Sequence, residues 1–135
     1  MNILLDTHIA VWAMVDHCKL TKDCIDDITN LNNNIYVSLI SVWEVAIKNA
    51  KHGYKEMPID ESLFVKYCEE LEFNILPIKT KHILNIRNIT LKNKASHHKD
   101  PFDRLLLSQS ACENLTLYTK DTTLLNYDVG NIKII

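Results

Sequence analysis

Short apolar runs alternate along the chain with longer segments in which apolar residues recur every three or four positions. The short runs, at 2–5, 35–39, 73–78, 115–118 and 132–135, predict buried strands. The longer segments, at 9–14, 21–31, 41–52, 60–71, 80–89 and 100–114, predict helices, and the aperiodic stretch 91–99 predicts a loop. Strands that alternate with helices predict an α/β fold with a mainly parallel central sheet.

Polar residues at the helix boundaries predict where several helices start and stop. Thr21 and Thr80 are predicted N-caps, because a hydroxyl can accept from the unpaired N–H groups of a first turn. Ser41 with Glu44 three residues later matches a capping box, which predicts that Ser41 caps the third helix. Gly53 suits the left-handed conformation that ends this helix.

The composition predicts one folded domain spanning 1–135. Apolar residues make up 47% and charged residues 24%, and only two glycines and three prolines interrupt regular elements. No apolar stretch reaches the roughly 20 residues that span a bilayer. Without a signal-peptide pattern, we expect a cytoplasmic protein with no membrane partner. The cysteines lack C-x-x-C spacing and are expected to be reduced bystanders, not zinc ligands or disulfides.

Charge is unevenly distributed, although the formal net charge is only −2. The segment 74–99 contains no acidic residue and carries many basic ones: Lys79, Lys81, His82, Arg87, Lys92, Lys94, His97, His98 and Lys99. Such a segment can make sequence-independent contacts with phosphate groups. It is equally consistent with a solvated basic helix face, so both interpretations stay open.

Four carboxylates, Asp6, Glu44, Asp103 and Asp121, lie next to the ends of apolar runs. Because ligands bind outside the carboxyl ends of parallel strands, we expect these acids to meet at one edge of the sheet. Anionic groups at such short distances repel one another unless a cation lies between them. A hard divalent metal prefers oxygen ligands, so the pattern predicts a metal-dependent hydrolase.

Two acids of this region have a structural alternative. Glu44 can simply complete its own capping box. Asp100, which precedes a proline, is a favoured helix cap, although it can also face the pocket one turn from Asp103. The predicted elements offer no comparable structural role for Asp6, Asp103 or Asp121.

Four motifs carry a resemblance to a known family: Leu4-Leu5-Asp6-Thr7-His8, Ser41-x-x-Glu44, Asp100-Pro-Phe-Asp103-Arg104 and Thr119-Lys-Asp121. In their order and spacing, along essentially the whole chain, they resemble the PIN-domain nucleases, and in particular the VapC-type toxins of bacterial toxin–antitoxin pairs. The resemblance implies a three-layer α/β/α sandwich. It also implies a metal-dependent endoribonuclease that hydrolyses RNA phosphodiester bonds.

Carried over residue by residue, the family's acids fall on Asp6, Glu44, Asp103 and Asp121, and its hydroxyl beside the pocket falls on Thr119, with Thr7 as a second candidate. The implied cofactor is Mg²⁺ or Mn²⁺, and the implied partners are RNA, a cognate antitoxin that blocks the pocket, and a second copy in a homodimer. We expect Asp6 and Asp103 to be direct metal ligands and Asp121 to be a ligand or a water-orienting group. Glu44 is expected to hold a second ion or to act as a general base.

Other side chains near these acids leave alternatives open. Arg104 can contact an RNA phosphate or pair with a carboxylate. His8 fits no zinc signature and is expected to line the pocket or the helix start. Trp12 and Trp43 are typical of core or interface positions, although Trp43, next to Glu44, can also stack on an unpaired base.

Three other functional classes compete with the nuclease. A phosphotransfer receiver domain needs adjacent acids after its first strand, and a haloacid-dehalogenase-type phosphatase needs Asp-x-Asp there. Here Asp6 is followed by Thr7 and His8, which excludes both patterns. The remaining alternative is a PIN fold that binds RNA or protein without cutting, and the presence of all four acids argues against it.

Overall fold

The computed structural model describes residues 1–92 and 100–135. The strands are β1 (Asn2–Leu5), β2 (Asn34–Ser38), β3 (Asn74–Leu76), β4 (Thr116–Thr119) and β5 (Ile132–Ile134). The α-helices are α1 (Thr7–Val15), α2 (Lys22–Thr29), α3 (Leu39–His52), α4 (Glu61–Glu70), α5 (Thr80–Asn85) and α6 (Pro101–Cys112). Short 3₁₀ helices occupy His17–Lys19, Ile86–Asn88 and Thr122–Asn126. Most of the predicted loop at 91–99 lies outside the described residues, as do Lys94, His97, His98 and Lys99.

The strands form one parallel sheet in the order β3-β2-β1-β4-β5. The chain adds β2 and β3 on one side of β1 and then crosses to add β4 and β5 on the other. Strand order therefore reverses between β1 and β4, and such a switch point is where open α/β sheets bind ligands. Asp6 follows β1 and Asp121 follows β4, so both border this point.

Apolar side chains of β1 are buried on both faces of the sheet. Ile3 and Leu5 join a cluster to which α1 to α4 contribute Ile9, Cys24, Val45 and Phe64. Leu4 points the other way and packs with Leu105, Leu106 and Leu107 of α6, because successive strand residues face opposite sides. Helix α5 packs against α6. These layers confirm the predicted α/β/α sandwich with a parallel sheet.

Two predicted helix starts are wrong by a small number of residues. Helix α3 begins at Leu39 with Ser38 as its cap, and the Ser38 Oγ accepts from the N–H of Ile40 at 3.1 Å. Helix α5 begins at Thr80, so the cap position is Lys79 and not Thr80. At α3 the contact that fixes the start is tertiary, because Ser38 donates to Gln109 of α6 at 2.5 Å. At α5 it is local, because the ring of buried His82 accepts from the N–H of Lys79, three residues earlier, at 3.0 Å.

Other helix boundaries agree with the predicted end signals. Thr21 caps α2 by accepting from the N–H of Cys24 at 3.3 Å. Gly53 ends α3 with a φ of 72°, which is the left-handed region that favours glycine. The longest helix of the described chain, α3, has 14 residues, and no helix there has the length and apolar character needed to cross a bilayer.

Candidate active site

Asp6 lies at the carboxyl end of β1 and caps α1. Its backbone N–H donates to the carbonyl of Tyr118 at 2.9 Å, which extends the contact between β1 and β4 by one residue. Its Oδ1 accepts from the N–H of Thr7 at 2.6 Å. Asp6 therefore has a structural role as well, since a carboxylate at a helix N-terminus satisfies an unpaired N–H and is favoured by the helix dipole.

The buried hydroxyl of Thr119, at the end of β4, links Asp6 to Asp121. Its Oγ1 donates to Oδ2 of Asp6 at 2.7 Å and accepts from the N–H of Asp121 at 3.0 Å. One hydroxyl can do both because it has one donor and two acceptor sites. The structure thus places the predicted hydroxyl between the two strand ends that border the switch point.

Asp121 occupies the cap position of the 3₁₀ helix Thr122–Asn126. Its Oδ1 accepts from the N–H of Thr123 at 2.9 Å and from the Thr123 hydroxyl at 2.5 Å. The sequence predicted no structural role for Asp6 or Asp121, and this prediction is wrong, because each of them caps a helix. The bonds hold the Asp121 side chain beside the carboxyl end of β4.

Glu44 lies on the second turn of α3 and is not part of a capping box, because the helix starts at Leu39. The Glu44 side chain is buried, and its Oε2 lies 2.9 Å from the Nζ of Lys48, one turn further along the helix. Ser41, the expected cap, instead accepts from the Thr7 hydroxyl at 2.8 Å in the interior. The structural alternative for Glu44 is removed, and what remains is a buried carboxylate beside an ammonium group.

Asp100 and Asp103 share the first turn of α6. Asp100 is exposed and caps the helix, with Oδ1 accepting from the N–H groups of Phe102 at 2.8 Å and Asp103 at 3.4 Å. The cap interpretation of Asp100 is therefore supported by geometry. Asp103 is only partly exposed, one residue before Arg104, at the edge where Asp6 and Asp121 lie.

Electrostatics show that the acids lie close enough to repel one another. Burial raises the pKa of the Asp103 carboxyl to about 7, and the neighbouring charges of Asp100, Asp6, Asp121 and Glu44 contribute in the same direction. The structure thus brings the other three predicted acids, together with Asp100, around the partly buried side chain of Asp103.

The Asp6 carboxyl is subject to opposing influences. Burial raises its pKa most, and the charge of Glu44 adds to the rise. Hydrogen bonds from Thr119 and the N–H of Thr7, together with the nearby His8, act in the lowering direction, and the net pKa remains raised. Burial therefore outweighs the donors, as expected for a carboxylate removed from water.

The carboxylates converge without forming a preassembled cage. Among residues 1–92 and 100–135, no group of three or more histidine, cysteine, aspartate or glutamate side chains is placed to hold a metal ion as it stands. A site that uses one or two carboxylates and keeps water on the metal needs no such cage. The oxygen-rich donor set is that of a hard divalent ion rather than of zinc.

Comparison with known protein families assigns the chain. The model of the PIN domain family matches residues 3–130. The chain belongs to the PIN domain family. PIN domains are generally nucleases, and PIN nucleases generally use divalent metal ions.

Solved structures share this PIN fold at low sequence identity. VapBC2 from Rickettsia felis, bound to a DNA fragment from its promoter, matches with a TM-score of 0.72 and 22% identity over 100% of this chain and 98% of that chain. VapBC-1 from nontypeable Haemophilus influenzae matches with a TM-score of 0.63 and 19% identity over 93% and 90% of the two chains. FitAcB from Neisseria gonorrhoeae matches with a TM-score of 0.62 and 20% identity over 98% of this chain and 96% of that chain. No curated protein matches the chain at a significant level.

Within residues 1–92 and 100–135, Arg104 of this PIN domain contacts backbone carbonyls rather than a carboxylate. Its guanidinium donates to the carbonyl of Ile86 at 3.1 Å and to that of Ile89 at 3.3 Å. These two carbonyls belong to the 3₁₀ helix Ile86–Asn88 and the residue after it. Arg104 therefore ties the first turn of α6, which carries Asp103, to the segment that follows α5.

Aromatic side chains border the acids of the PIN domain on the α3 and α6 side. Trp43, next to Glu44, is 57% exposed, and its ring meets the ring of Phe102 edge-on at 5.3 Å between centroids. Phe102 in turn precedes Asp103. The prediction of a core position for Trp43 is wrong, whereas its interface and base-stacking alternatives stay predictions.

Sequence reasoning missed several side chains that hold the acids in place. Lys48 had a visible signal, because a lysine four residues after a glutamate lies on the same helix face. The bond between Thr7 and Ser41, 34 positions apart, had none, because it depends on how α1 packs against α3. His8, by contrast, lies exposed in the first turn of α1, in agreement with its expected place at the helix start.

Proposed function

We propose that this PIN domain is a VapC-type endoribonuclease that hydrolyses RNA phosphodiester bonds, and that the chain forms one domain over 1–135. The observation that carries the proposal is the convergence of Asp100, Asp6, Asp121 and Glu44 on Asp103, where burial and these charges raise the pKa of the Asp103 carboxyl to about 7. A cation among these carboxylates would relieve the repulsion. A hard divalent ion beside a phosphate can activate water and stabilise the attacking and leaving oxygens of phosphodiester hydrolysis.

Mg²⁺ or Mn²⁺ is the proposed cofactor. Asp6 and Asp103 are the proposed direct ligands, Asp121 is a ligand or orients water, and Glu44 holds a second ion or acts as a general base. Mg²⁺ typically keeps several waters and binds through one or two carboxylates together with substrate phosphates, which fits this loosely gathered set. Such an ion, when bound, lowers the pKa of a coordinated water and offsets charge on the phosphate oxygens.

The neighbouring residues of the chain hold these acids in position. Thr119 fixes Oδ2 of Asp6 at 2.7 Å, and the buried bond between Thr7 and Ser41, at 2.8 Å, ties α1 to α3. The Lys48 ammonium, 2.9 Å from Oε2 of Glu44, offsets the cost of burying that charge. The contacts of Thr119 and Thr7 thus position Asp6 and α3 before substrate arrives, whereas Lys48 compensates the buried charge of Glu44.

A cognate antitoxin is the proposed protein partner. VapBC-1 from Haemophilus influenzae, VapBC2 from Rickettsia felis and a toxin–antitoxin complex from Klebsiella pneumoniae share the fold over more than nine-tenths of this chain. We propose that an antitoxin segment covers the acidic edge and blocks access of RNA to it. A homodimer is proposed on the same family grounds.

Asp6→Asn tests the nuclease proposal most directly. Asparagine is as good an N-cap as aspartate, so α1 keeps its cap and the melting temperature should change little. We expect the wild-type protein to cleave single-stranded RNA with Mg²⁺ or Mn²⁺, and the variant to lose at least about a hundredfold of that rate, as loss of a key electrostatic group does. Excess chelator should have the same effect on the wild type.

Asp23→Asn is the matched control. Asp23 lies exposed in the first turn of α2, and its substitution removes the same charge without touching the site. Cleavage by this control should equal that of the wild type. If the wild-type protein binds RNA but cleaves none with either metal, the non-cleaving PIN-fold module becomes the better description.

A further inference from the structure

Two lysines are held against the indole ring of Trp12, beside the acidic edge. The Nζ of Lys120 lies 4.9 Å from the ring centroid and the Nζ of Lys19 lies 5.6 Å from it. The Lys120 ammonium also donates to the carbonyl of Lys19 at 2.7 Å. The ring attracts both cations because its face carries negative potential. The two charges are therefore positioned rather than free to rotate in solvent.

This lysine–tryptophan cluster, defined as Trp12, Lys19 and Lys120, is continuous with the proposed active site. Lys120 lies between Thr119 and Asp121, whose mutual hydrogen bond of 3.0 Å fixes the backbone on either side of it. Trp12 is one turn along α1 from His8, and the two rings are 5.9 Å apart. The cluster thus borders the end of β4 on one side and the start of α1 on the other.

The positive charges of the cluster are available to an outside ligand. Within residues 1–92 and 100–135, Lys120 has a carbonyl and a ring as partners but no carboxylate. Lys19 lies 3.5 Å from Oδ2 of Asp16, with side chains 55% and 41% exposed. An ion pair this exposed contributes little and can be exchanged for a phosphate.

Substrate binding at an edge made of carboxylates needs a source of attraction. RNA carries one negative charge per nucleotide, so Asp6, Asp121 and their neighbours would repel every phosphate except those that a metal neutralises. A cationic surface directly beside the acids reduces this repulsion for the adjoining phosphates of the same strand. Positive grooves with aromatic side chains are how proteins hold single-stranded nucleic acids.

We propose that the lysine–tryptophan cluster binds the phosphate backbone of the RNA strand next to the scissile bond. The inference rests on the proposed nuclease function and specifies the surface along which the bound RNA strand runs away from the acidic edge. Lys120 makes the principal contact because it adjoins Asp121 and has no competing carboxylate in the described part of the chain. Lys19 adds a second phosphate contact, and Trp12 acts as a positioning residue for both ammonium groups. An acidic segment of the antitoxin is the competing ligand, and the measurements below distinguish it from RNA.

The test compares Lys19→Gln, Lys120→Gln and the double variant with Lys51→Gln. Lys51 lies in the last turn of α3, roughly 20 Å along the helix from its first turn at the acidic edge. Affinity for a fluorescent single-stranded RNA is measured by anisotropy in an Asp6→Asn background, which keeps the RNA intact. Each lysine that binds a phosphate contributes about 0.7 to the slope of log affinity against log salt, so its substitution should reduce the slope by that amount. Lys51→Gln should leave the slope unchanged.

Cleavage kinetics in the otherwise wild-type protein provide the second readout. Lys120→Gln should raise KM several-fold with little change in kcat, because the lysine binds substrate equally before and during reaction. Trp12→Leu should weaken RNA binding in the same direction, and Trp12→Phe should restore most of it. Melting temperatures establish that each variant is folded.

Several results would overturn the proposal. One is an unchanged RNA affinity and salt slope in the double lysine variant, and another is a Lys51→Gln variant whose RNA affinity falls as much as that of the cluster variants. A third is a lysine variant that binds the antitoxin less tightly but keeps its affinity for RNA. The last result would assign the cluster to the protein partner. Lysine-dependent RNA binding without cleavage in the presence of Mg²⁺ or Mn²⁺ would instead leave this site standing and refute the nuclease proposal.

Discussion

The Thr119 hydroxyl donates to Oδ2 of Asp6 at 2.7 Å, across the junction of β4 and β1. The oxygen of this hydroxyl, Oγ1 of Thr119, also accepts from the N–H of Asp121 at 3.0 Å. These strands are neighbours only because the sheet order reverses between them. A single buried hydroxyl thus couples the positions of two proposed catalytic acids that are 115 residues apart in the numbering of the chain.

Thr119→Val should impair both stability and cleavage. Valine has nearly the same shape but leaves the Asp121 N–H without its acceptor, which costs about 1–3 kcal/mol of unfolding free energy. Asp6 also loses a donor that favours its ionised form, so its pKa should rise further. Urea denaturation measures the first effect, and the pH dependence of cleavage should show the second as a shift of the acid limb to higher pH.

Thr119→Ser is the matched control, because it keeps the hydroxyl and removes only a methyl group. Its cleavage rate and pH profile should stay close to those of the wild type. If serine and valine lower the rate equally, the methyl group and not the hydrogen bond would be the important feature of Thr119.

The sequence predicted the strand ends well because they depend on local pattern. Ile3 to Leu5 is a continuous apolar run, as a strand buried on both faces must be. Asp6 therefore could be placed at a carboxyl edge without knowledge of any neighbour. The same reasoning located Asp121 after β4.

The start of α3 could not be predicted, because nonlocal contacts decide it. Ser41 and Glu44 imitate a capping box, yet Ser38 is the cap and its hydroxyl donates to Gln109, 71 positions away. Leu39, which is 44% exposed, extended the apparent strand by one apolar residue. Sequence patterns cannot reveal that Ser41 is instead buried against Thr7. The site could thus be predicted as a set of acids, but not the contacts that hold them.

Lys48→Met should destabilise the protein by leaving Glu44 as a buried charge without its ammonium partner. The Glu44 side chain is 9% exposed and the Lys48 side chain 38% exposed. Loss of one partner of such a pair costs about 1–3 kcal/mol, less than for a fully buried pair. Adding Glu44→Gln should recover part of this loss, because a neutral amide is less costly to bury.

The two substitutions should differ in their effects on cleavage, which separates a structural from a catalytic role. Glu44→Gln removes a proposed metal-binding or basic carboxylate and should reduce kcat strongly. Lys48→Met keeps that carboxylate, so a folded sample should retain most of its kcat. Equal losses of kcat in both variants, measured well below their melting temperatures, would contradict a direct role for Glu44.

The metal-free protein should lose stability as pH rises from about 4 to 7. The pKa of the Asp103 carboxyl is about 7 in the folded chain, above its ordinary value of 3.8. Between these values the folded state binds more protons than the unfolded state, so the unfolding free energy falls with increasing pH. Melting temperatures in chelator at pH 5 to 8 measure the trend.

Asp103→Asn should flatten this dependence, because an amide does not titrate. The variant should therefore be more stable than the metal-free wild type at pH 8, with a smaller difference at pH 5. Mg²⁺ or Mn²⁺ should raise the melting temperature of the wild type more at pH 8 than at pH 5, since protons compete for the ligands. Parallel wild-type and variant curves would show that Asp103 does not carry the repulsion.

Arg104→Lys should weaken cleavage although the charge is retained. The Nη2 nitrogen of Arg104 donates to the carbonyls of Ile86 and Ile89 at 3.1 and 3.3 Å. A lysine side chain is shorter and its ammonium is not planar, so it does not place its N–H groups at the same positions. Loss of these bonds should cost about 1–3 kcal/mol of unfolding free energy. It should also loosen the first turn of α6, where Asp103 lies.

Arg87→Lys, on the exposed side of the 3₁₀ helix Ile86–Asn88, is the stability control and should leave the unfolding free energy unchanged. A wild-type kcat in Arg104→Lys would show that Asp103 is positioned without this tie.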